Sequence, residues 1–148
     1  MKQLLRLAKV LWASPCTGVG IVFAAVVLLA GGRAKWSAGA VEVTYRERQA
    51  SCGRLARRLA FRGVVFGHVI LAVTREELAA IVPHERVHVQ QYERWGALFF
   101  VAYGLSSLWQ FIRGRSLYWD NHFEVQAREL SSGGPGRQVG SKPHRSRA

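Results

Sequence analysis

Five consecutive residues, His84-Glu85-Arg86-Val87-His88, form the pattern H-E-x-x-H and offer the strongest chemistry in the chain. On a helix, residues four apart lie on one face, with Cβ atoms about 5–6 Å apart. Two imidazoles at that spacing can bind one zinc ion, and the adjacent glutamate can then polarise a metal-bound water. The alternative is an ordinary solvated helix whose histidines face water or pack on a neighbour. A zinc hydrolase therefore also requires a helix around the motif and a third ligand.

Two residues downstream of the motif are candidates for that third ligand, His122 and Glu124. A catalytic zinc usually keeps three protein ligands and one open position. If the apolar segment 97–112 forms a helix that packs back antiparallel, the first turn of the next helix returns Glu124 to the metal. The competing interpretation of Glu124 is a charge that complements the helix dipole. For His122 it is a polar residue in a helix cap.

Composition limits the class of partner. The chain has 148 residues, a net charge of +12, a sequence pI near 11.0 and 49% hydrophobic residues. This length favours a single domain, and this charge suits an anionic membrane, nucleic acid or a basic tail. The basic residues are scattered and no nucleic-acid-binding motif is present, so we expect no nucleic acid partner. Cys16 and Cys52 form no C-x-x-C pair, so the expected metal ligands are histidine and carboxylate.

The segment 1–35 is predicted to associate with a membrane. A basic, amphipathic N-terminus is interrupted by Ser14-Pro15, and an uncharged run follows from Pro15 to Gly32. About 20 apolar residues cross a bilayer, so this run is at the short end. We predict an uncleaved transmembrane anchor, with a signal peptide and a buried helix as alternatives. Basic residues flank both sides of the run, so they do not indicate its orientation.

The segment 36–130 is predicted to hold the functional domain, and 131–148 a disordered basic tail rich in Gly, Ser, Pro and Arg. Residues 40–46 alternate with period two and predict a half-buried strand. Residues 63–73 predict one buried strand with a bulge at Gly67. Residues 54–62 are basic and fit either strand or helix.

Four helical segments follow the predicted strands. Thr74 and Glu77 form a capping box that predicts a short helix to about Val82. Pro83 is expected to open a second helix that carries the motif and ends near Trp95, before Gly96. The apolar segment is predicted to be a core helix or one half-sunk in the membrane, with a second crossing as the alternative. Residues 119–130 predict the last helix, with Asp120 or Asn121 as its N-cap.

The motif followed by a helix carrying E-x-x-A, here Glu124-Val-Gln-Ala127, resembles the gluzincin branch of zinc metallopeptidases. The residues 84–93 and 121–127 also resemble a group of small bacterial zincin-like proteins, over roughly residues 63–130. This resemblance implies an α+β fold with a minimal zincin-like core: a short β-sheet or hairpin, the motif helix and two following helices. An N-terminal transmembrane helix would precede that core and place the protein in a membrane, the bacterial inner membrane.

By the same resemblance, His84, His88 and Glu124 are zinc ligands and Glu85 is the general base. The implied activity is peptide-bond hydrolysis by a zinc-activated water, on a peptide or protein substrate. The implied edge strand is 63–73, where a peptide could add as a further strand. Tyr92, Tyr118 and His122 are candidate oxyanion stabilisers, while His68 and the aromatic residues of 95–111 are expected to be structural.

Four residues depart from the usual pattern of that family: Pro83, Arg86, Gln90 and Arg128. Gluzincins often have an aspartate where this chain has Arg128, so Asp120 or Glu129 takes the role of orienting a ligand histidine, or that role is missing. The departures motivate an alternative function, a catalytically silent zincin-derived protein that binds metal or is structural. A third hypothesis, motivated by the net charge, is a basic protein that docks on anionic lipid or nucleic acid.

Overall fold

The computed structural model describes residues 2–46 and 63–132, so the predictions for 54–62 and for most of the basic tail lie outside the described residues. The protein is α+β. The chain first forms helix α1 (Lys2–Leu29) and strands β1 (Arg33–Ser37) and β2 (Ala40–Arg46). After the undescribed segment come strands β3 (Gly63–Phe66) and β4 (Val69–Thr74) and helices α2 (Arg75–Trp95), α3 (Leu98–Ile112) and α4 (His122–Ser131).

The four strands form one sheet in the order β1-β2-β4-β3. β1 and β2 are antiparallel, β2 and β4 are parallel, and β4 and β3 are antiparallel. The strand predicted at 40–46 is confirmed with the same bounds as β2. Among the strands that the structure describes, β1 and β3 are therefore the outer two, and β4 lies in the interior of the sheet.

The prediction of a single strand over 63–73 is wrong, because the chain turns back at Gly67-His68 and forms a hairpin. Gly67 has a φ of 57°, which a residue with a side chain adopts only at a cost. A Cβ there would also lie 2.5 Å from the backbone nitrogen of Thr17 in α1. Gly67 thus marks a tight turn and a close backbone approach.

α2 is one continuous helix, so the predicted break before Pro83 is wrong. Thr74 caps it as predicted, since its Oγ1 accepts a hydrogen bond from the backbone N–H of Glu77 at 3.1 Å. The helix ends as predicted at Trp95, before Gly96. Pro83 removes one backbone hydrogen bond from the helix. The parts of the helix before and after Pro83 both pack into the core beside β4, and this packing keeps the helix continuous.

α1 is also continuous through Ser14-Pro15, which were expected to interrupt it. One face of α1 packs on the domain through the small residues Ala13, Cys16, Gly20 and Ala24. The opposite face is apolar and exposed. By length and composition α1 could cross a membrane. The buried-helix alternative therefore describes only one of its faces.

A polar contact joins α1 to the hairpin and to α2. His68 is buried, its Nδ1 lies 3.1 Å from the Thr17 hydroxyl, and its Nε2 lies 3.4 Å from Glu93. Lys9 lies 3.6 Å from the other carboxylate oxygen of Glu93. This arrangement agrees with the structural role expected for His68.

α3 leaves α2 at an angle of 114°. Phe99 is its only buried residue, so most of α3 is not the core helix that one alternative predicted. α4 begins three residues later than predicted and extends through Ser131, which the sequence placed in the tail. Of the two predicted N-caps, Asp120 and Asn121, the structure has Asn121.

Candidate metal centre

Three side-chain donors converge between the N-terminal turn of α4 and the motif helix α2. His84 Nε2 lies 3.1 Å from His88 Nε2 and 3.2 Å from Glu124 Oε2. His88 Nε2 lies 3.3 Å from Glu124 Oε1. The structure thus brings together the three residues predicted as ligands, and His122 is exposed and outside this group.

The spacing of these atoms fits a small tetrahedral cation. Zinc binds histidine nitrogen and carboxylate oxygen at about 2.0–2.2 Å, so neighbouring ligand atoms of a tetrahedron lie about 3.3 Å apart. The observed separations are 3.1–3.3 Å. The two nitrogens approach different oxygens of the Glu124 carboxylate, and one donor atom from each of the three residues lies within 4.8 Å of the others. The donor set, two imidazole nitrogens and one carboxylate, also suits zinc.

Gln91 orients the second histidine. Its Oε1 lies 2.7 Å from His88 Nδ1. Its Nε2 is used elsewhere, donating to Gln126 Oε1 at 2.8 Å and to the Phe123 carbonyl at 3.2 Å. Because an amide oxygen only accepts, His88 Nδ1 carries a proton and donates it to Gln91, and Nε2 is the ring atom that faces Glu124 and His84. Ligand histidines commonly have such a partner.

Gln91 was missed by sequence analysis, which looked for this partner among Asp120 and Glu129. Asp120 instead accepts a hydrogen bond from the backbone of Ser116 at 2.9 Å, and Glu129 is exposed. A signal existed: Gln91 follows His88 by three residues, so it shares a helix face with that ligand.

Tyr103 of α3 donates its hydroxyl hydrogen to Glu124 Oε1 at 2.9 Å. Burial alone would raise the pKa of Glu124, but hydrogen bonds from His84, His88 and Tyr103 outweigh burial and hold that pKa well below its usual range. Glu124 is therefore an anion at neutral pH, as a metal ligand must be. The sequence had indicated only a structural role for Tyr103, in packing.

Glu85 is buried beside the same cluster. Burial, the largest effect, raises the pKa of Glu85, and the charges of His88 and His84 partly oppose this rise. A carboxylate with a raised pKa is a better proton acceptor than one in water. Glu85 lies close enough to both histidines to feel their charge, and Glu124 adds negative charge that favours a proton on Glu85.

Asn121 builds the turn that delivers Glu124. Its Oδ1 accepts from the backbone N–H of Phe123 at 2.9 Å, which caps α4. Its Nδ2 donates to the Tyr103 carbonyl at 3.1 Å and to the Ser107 hydroxyl at 2.7 Å. The fully buried Asn121 thus fastens the start of α4 to α3, as the predicted return of the last helix requires.

The residues that depart from the zincin pattern are accommodated in different ways. Arg86 points towards the β1–β2 hairpin and donates to Glu42 and Ser37, both at 3.0 Å. Gln90 is exposed. Arg128 alone approaches the candidate ligands, with Nη1 4.0 Å from Glu124 Oε2, while it donates to the Trp119 carbonyl and lies over the Trp119 ring.

Of the three candidate oxyanion stabilisers, Tyr118 is the one beside the cluster. Burial and the nearby charge of Glu124, together with a hydrogen bond to it, raise the pKa of Tyr118. Tyr92 is buried in the core and donates to the Val65 carbonyl at 3.3 Å, a packing role that the sequence had allowed. His122 packs its ring on Phe123.

Comparisons with known proteins found no matching family model, no matching curated protein and no matching solved structure.

Proposed function

We propose that this protein is a membrane-associated zinc metallopeptidase with a zincin-like core. The observation that carries the proposal is the convergence of His84, His88 and Glu124 at separations that suit one tetrahedral cation. The order of elements also supports it, because the motif helix packs on a sheet and a later helix supplies the third donor, as in the family that the sequence resembles.

The residues of this chain divide into clear roles in that reaction. His84, His88 and Glu124 would hold the zinc ion, and Gln91 and Tyr103 position His88 and Glu124. A bound zinc ion supplies Lewis acidity, which lowers the pKa of a bound water to about 7. Glu85 accepts a proton from the attacking water and returns it to the leaving amine.

The substrate would be a peptide or protein segment that adds to β3 as a further strand. In the sheet formed by residues 33–46 and 63–74, β3 lies at one edge, where a further strand could pair with its backbone. The Val65 carbonyl already accepts from Tyr92, so such pairing would use other backbone groups of the strand. Tyr118 is the residue we assign to stabilise the developing oxyanion.

Membrane association rests on α1, which has the length and apolar composition for it. α1 would hold the protein at the bacterial inner membrane, the location that the sequence predicts. The high net charge of +12 favours an anionic bilayer over a neutral one.

The second candidate function is a catalytically silent metal-binding protein, and one observation favours it. The positive charge of Arg128 lies 4.0 Å from Glu124 Oε2. A guanidinium so close to a ligand carboxylate competes with a cation for it and differs from the aspartate that the resembled family often has there. Both candidate functions include a bound metal ion, and they differ only in whether the protein hydrolyses a substrate.

Hydrolysis of a peptide library distinguishes the two candidates. Zinc-loaded full-length protein in lipid vesicles should cleave peptides, and Glu85→Gln should lower the rate by about 10²–10⁴-fold because it removes the general base. Glu129→Gln, an exposed glutamate on α4, is the matched control and should leave the rate unchanged. Zinc-loaded wild type that cleaves no peptide would favour the silent protein, and equal rates in both variants would reject the role of Glu85.

A further inference from the structure

The exposed side of α1 is a continuous apolar face. Leu4, Leu11, Val22 and Leu29 follow one another at spacings of seven, eleven and seven residues, which places them on one line along the helix. All are more than 60% exposed. The small buried residues Ala13, Cys16, Gly20 and Ala24 lie on the opposite side. α1 therefore presents one face to the domain and another to its surroundings over its whole length.

The domain accompanies α1 along most of that length. Near the N-terminal end, Lys9 pairs with Glu93 and Trp12 packs on Gly96. A Cβ on Gly20, further along, would lie 2.7 Å from Cβ of Val69 in the sheet. If α1 crossed a bilayer, charged groups of α2 would be carried to the depth of the acyl chains, where ionisable groups are expensive. These contacts favour a helix that lies along the membrane surface.

α3 is a second exposed apolar helix. It has no charged residue between Leu98 and Ile112 and spans about 22 Å. A span of that length is too short for the hydrocarbon core of about 30 Å. Eight large apolar side chains on it are exposed: Leu98, Phe100, Val101, Leu105, Leu108, Trp109, Phe111 and Ile112. A patch of this kind marks an interaction surface, since soluble monomers rarely expose one so large.

The apolar faces of the two helices are joined. The ring of Phe23 on α1 stacks on Phe66 of β3 with centroids 5.4 Å apart, and Phe66 lies 6.3 Å from Phe100 on α3. Phe23 and Phe100 are both nearly half exposed. Trp12 makes a second junction, where α2 turns into α3 at Gly96.

We propose that α1 and α3 together form a membrane-binding face, defined by their exposed apolar residues, which seats the protein in one leaflet of an anionic bilayer with α1 parallel to the membrane plane. This arrangement takes the place of the crossing predicted from the sequence. Amphipathic helices in this position bury their apolar face about 5–10 Å into the boundary between head groups and acyl chains.

The chemistry at the end of α3 identifies a lipid surface as the partner. Trp109 and Trp119 are exposed there, and tryptophan favours the membrane interface. Arg113 lies over the Trp109 ring, 5.7 Å from its centroid, and Arg115 is also exposed. Each basic residue near an anionic membrane surface contributes about 1 kcal/mol to binding. A second copy of this chain would bring these positive charges together and repel.

The membrane-binding face also indicates the class of substrate, a consequence that rests on the proposed peptidase function. Tyr103, on the inner side of α3, donates to Glu124. The candidate metal ligands therefore lie about one helix diameter, roughly 10 Å, from the lipid surface. Peptide segments at the level of the head groups, such as those flanking transmembrane helices, would reach them.

Spin labels on α1 measure how it lies in the bilayer. Leu4→Cys, Leu11→Cys, Val22→Cys and Leu29→Cys would be labelled one at a time in full-length protein with Cys16→Ala and Cys52→Ser, in vesicles of phosphatidylglycerol and phosphatidylcholine. Relative accessibility to oxygen and to a water-soluble nickel chelate gives the depth of each label. We expect similar shallow depths at all four positions. A depth that peaks at Leu11 and Val22 and falls at both ends would show a crossing and overturn the proposal.

Labels on α3 test the second half of the membrane-binding face. Val101→Cys, Leu105→Cys and Leu108→Cys should be accessible to oxygen and protected from the chelate. Gln90→Cys, exposed on α2, is the matched control and should show the reverse. Protection accompanied by spin–spin broadening and without oxygen access would indicate self-association and overturn the proposal. None of these measurements uses metal or turnover, so their failure is separate from that of the peptidase function.

Discussion

Glu124 Oε2 lies 3.2 Å from His84 Nε2, although the two residues are forty positions apart in the chain. The contact depends on the cap of α4, because Asn121 fixes the turn from which Glu124 projects. It also depends on α3, whose Tyr103 donates to the same carboxylate. The largely apolar helix α3 thus separates α2 from α4 in the chain, and Tyr103 of α3 also contacts the carboxylate that joins them.

Gln91→Ala should weaken zinc binding about 10–100-fold, because loss of the hydrogen-bond partner that orients a ligand histidine lowers metal affinity by that factor. The loss follows from the 2.7 Å contact between Gln91 Oε1 and His88 Nδ1. Competition with a chromophoric chelator measures the affinity. Gln90→Ala, at the exposed neighbouring position, is the control and should bind zinc like wild type. Equal affinities of the two variants would contradict a positioning role for Gln91.

Asn121→Ala should destabilise the fold by about 1–3 kcal/mol, since it removes a helix cap and leaves buried polar groups without partners. Asn121 is fully buried and makes hydrogen bonds to Phe123, Tyr103 and Ser107. Denaturant unfolding measures the change. We also expect weaker zinc binding, because Glu124 loses its fixed turn. Unchanged stability would show that the cap does not hold α4 on α3.

Gly20→Ala should lower the stability of the fold, whereas Gly18→Ala should leave it unchanged or raise it. A Cβ at Gly20 would lie 2.8 Å from the Phe66 carbonyl oxygen, so α1 must move away from the hairpin. Overpacking of this kind costs about 1–3 kcal/mol. A Cβ at Gly18 meets nothing within 4 Å, and alanine is the better helix former. Thermal unfolding should therefore show a lower midpoint for the first variant and an equal or higher one for the second.

Zinc affinity should fall as the pH falls through the pKa of His88, because zinc binds the neutral imidazole. Burial by itself lowers the pKa of His88, but the hydrogen bond and charge of Glu124 outweigh burial, and the net pKa is raised. Protons therefore compete with zinc to a higher pH than at a free imidazole. Below that pKa the affinity should fall about tenfold per pH unit for each proton displaced.

The same raised pKa affects the stability of the metal-free protein. His88 contributes stability below its unfolded pKa of about 6.5, and this contribution is lost as the pH rises through the folded pKa. An NMR titration of the His88 ring in metal-free protein measures that value directly. A midpoint below about 6.5 would contradict the pairing of His88 with Glu124.

Local signals in the sequence predicted much of the fold. The alternation over 40–46, the cap at Thr74 and the stop at Gly96 act within a few residues, and the structure confirms all three. The predicted breaks at Pro15 and Pro83 were wrong. Local propensity predicts that a proline ends a helix, but each of these helices packs on the sheet, and that packing offsets the cost of the proline. The hairpin at Gly67 was missed because a run of strand formers gives no sign of reversal except that glycine.

The candidate metal ligands were predicted as a set because residue type and helical spacing limit the choice. The motif gave His84 and His88, and the E-x-x-A resemblance gave Glu124, which the structure brings to them. Gln91 and Tyr103 were not assigned to the site, since a glutamine or a tyrosine has no distinctive spacing and its role depends on which way α3 packs. The face of α1 that packs on the domain could not be predicted either, because composition shows only that the helix is apolar.

The most direct test of the metal centre is the zinc content of purified full-length protein, measured by inductively coupled plasma mass spectrometry. We predict one zinc ion per wild-type chain and less than about a tenth of that in His84→Ala and Glu124→Ala, since each loses one of three ligands. His122→Ala, an exposed histidine two residues from Glu124, should keep the full content. Wild-type protein without stoichiometric zinc after exposure to the metal, or full zinc content in Glu124→Ala, would contradict the assignment of His84, His88 and Glu124 as a metal site.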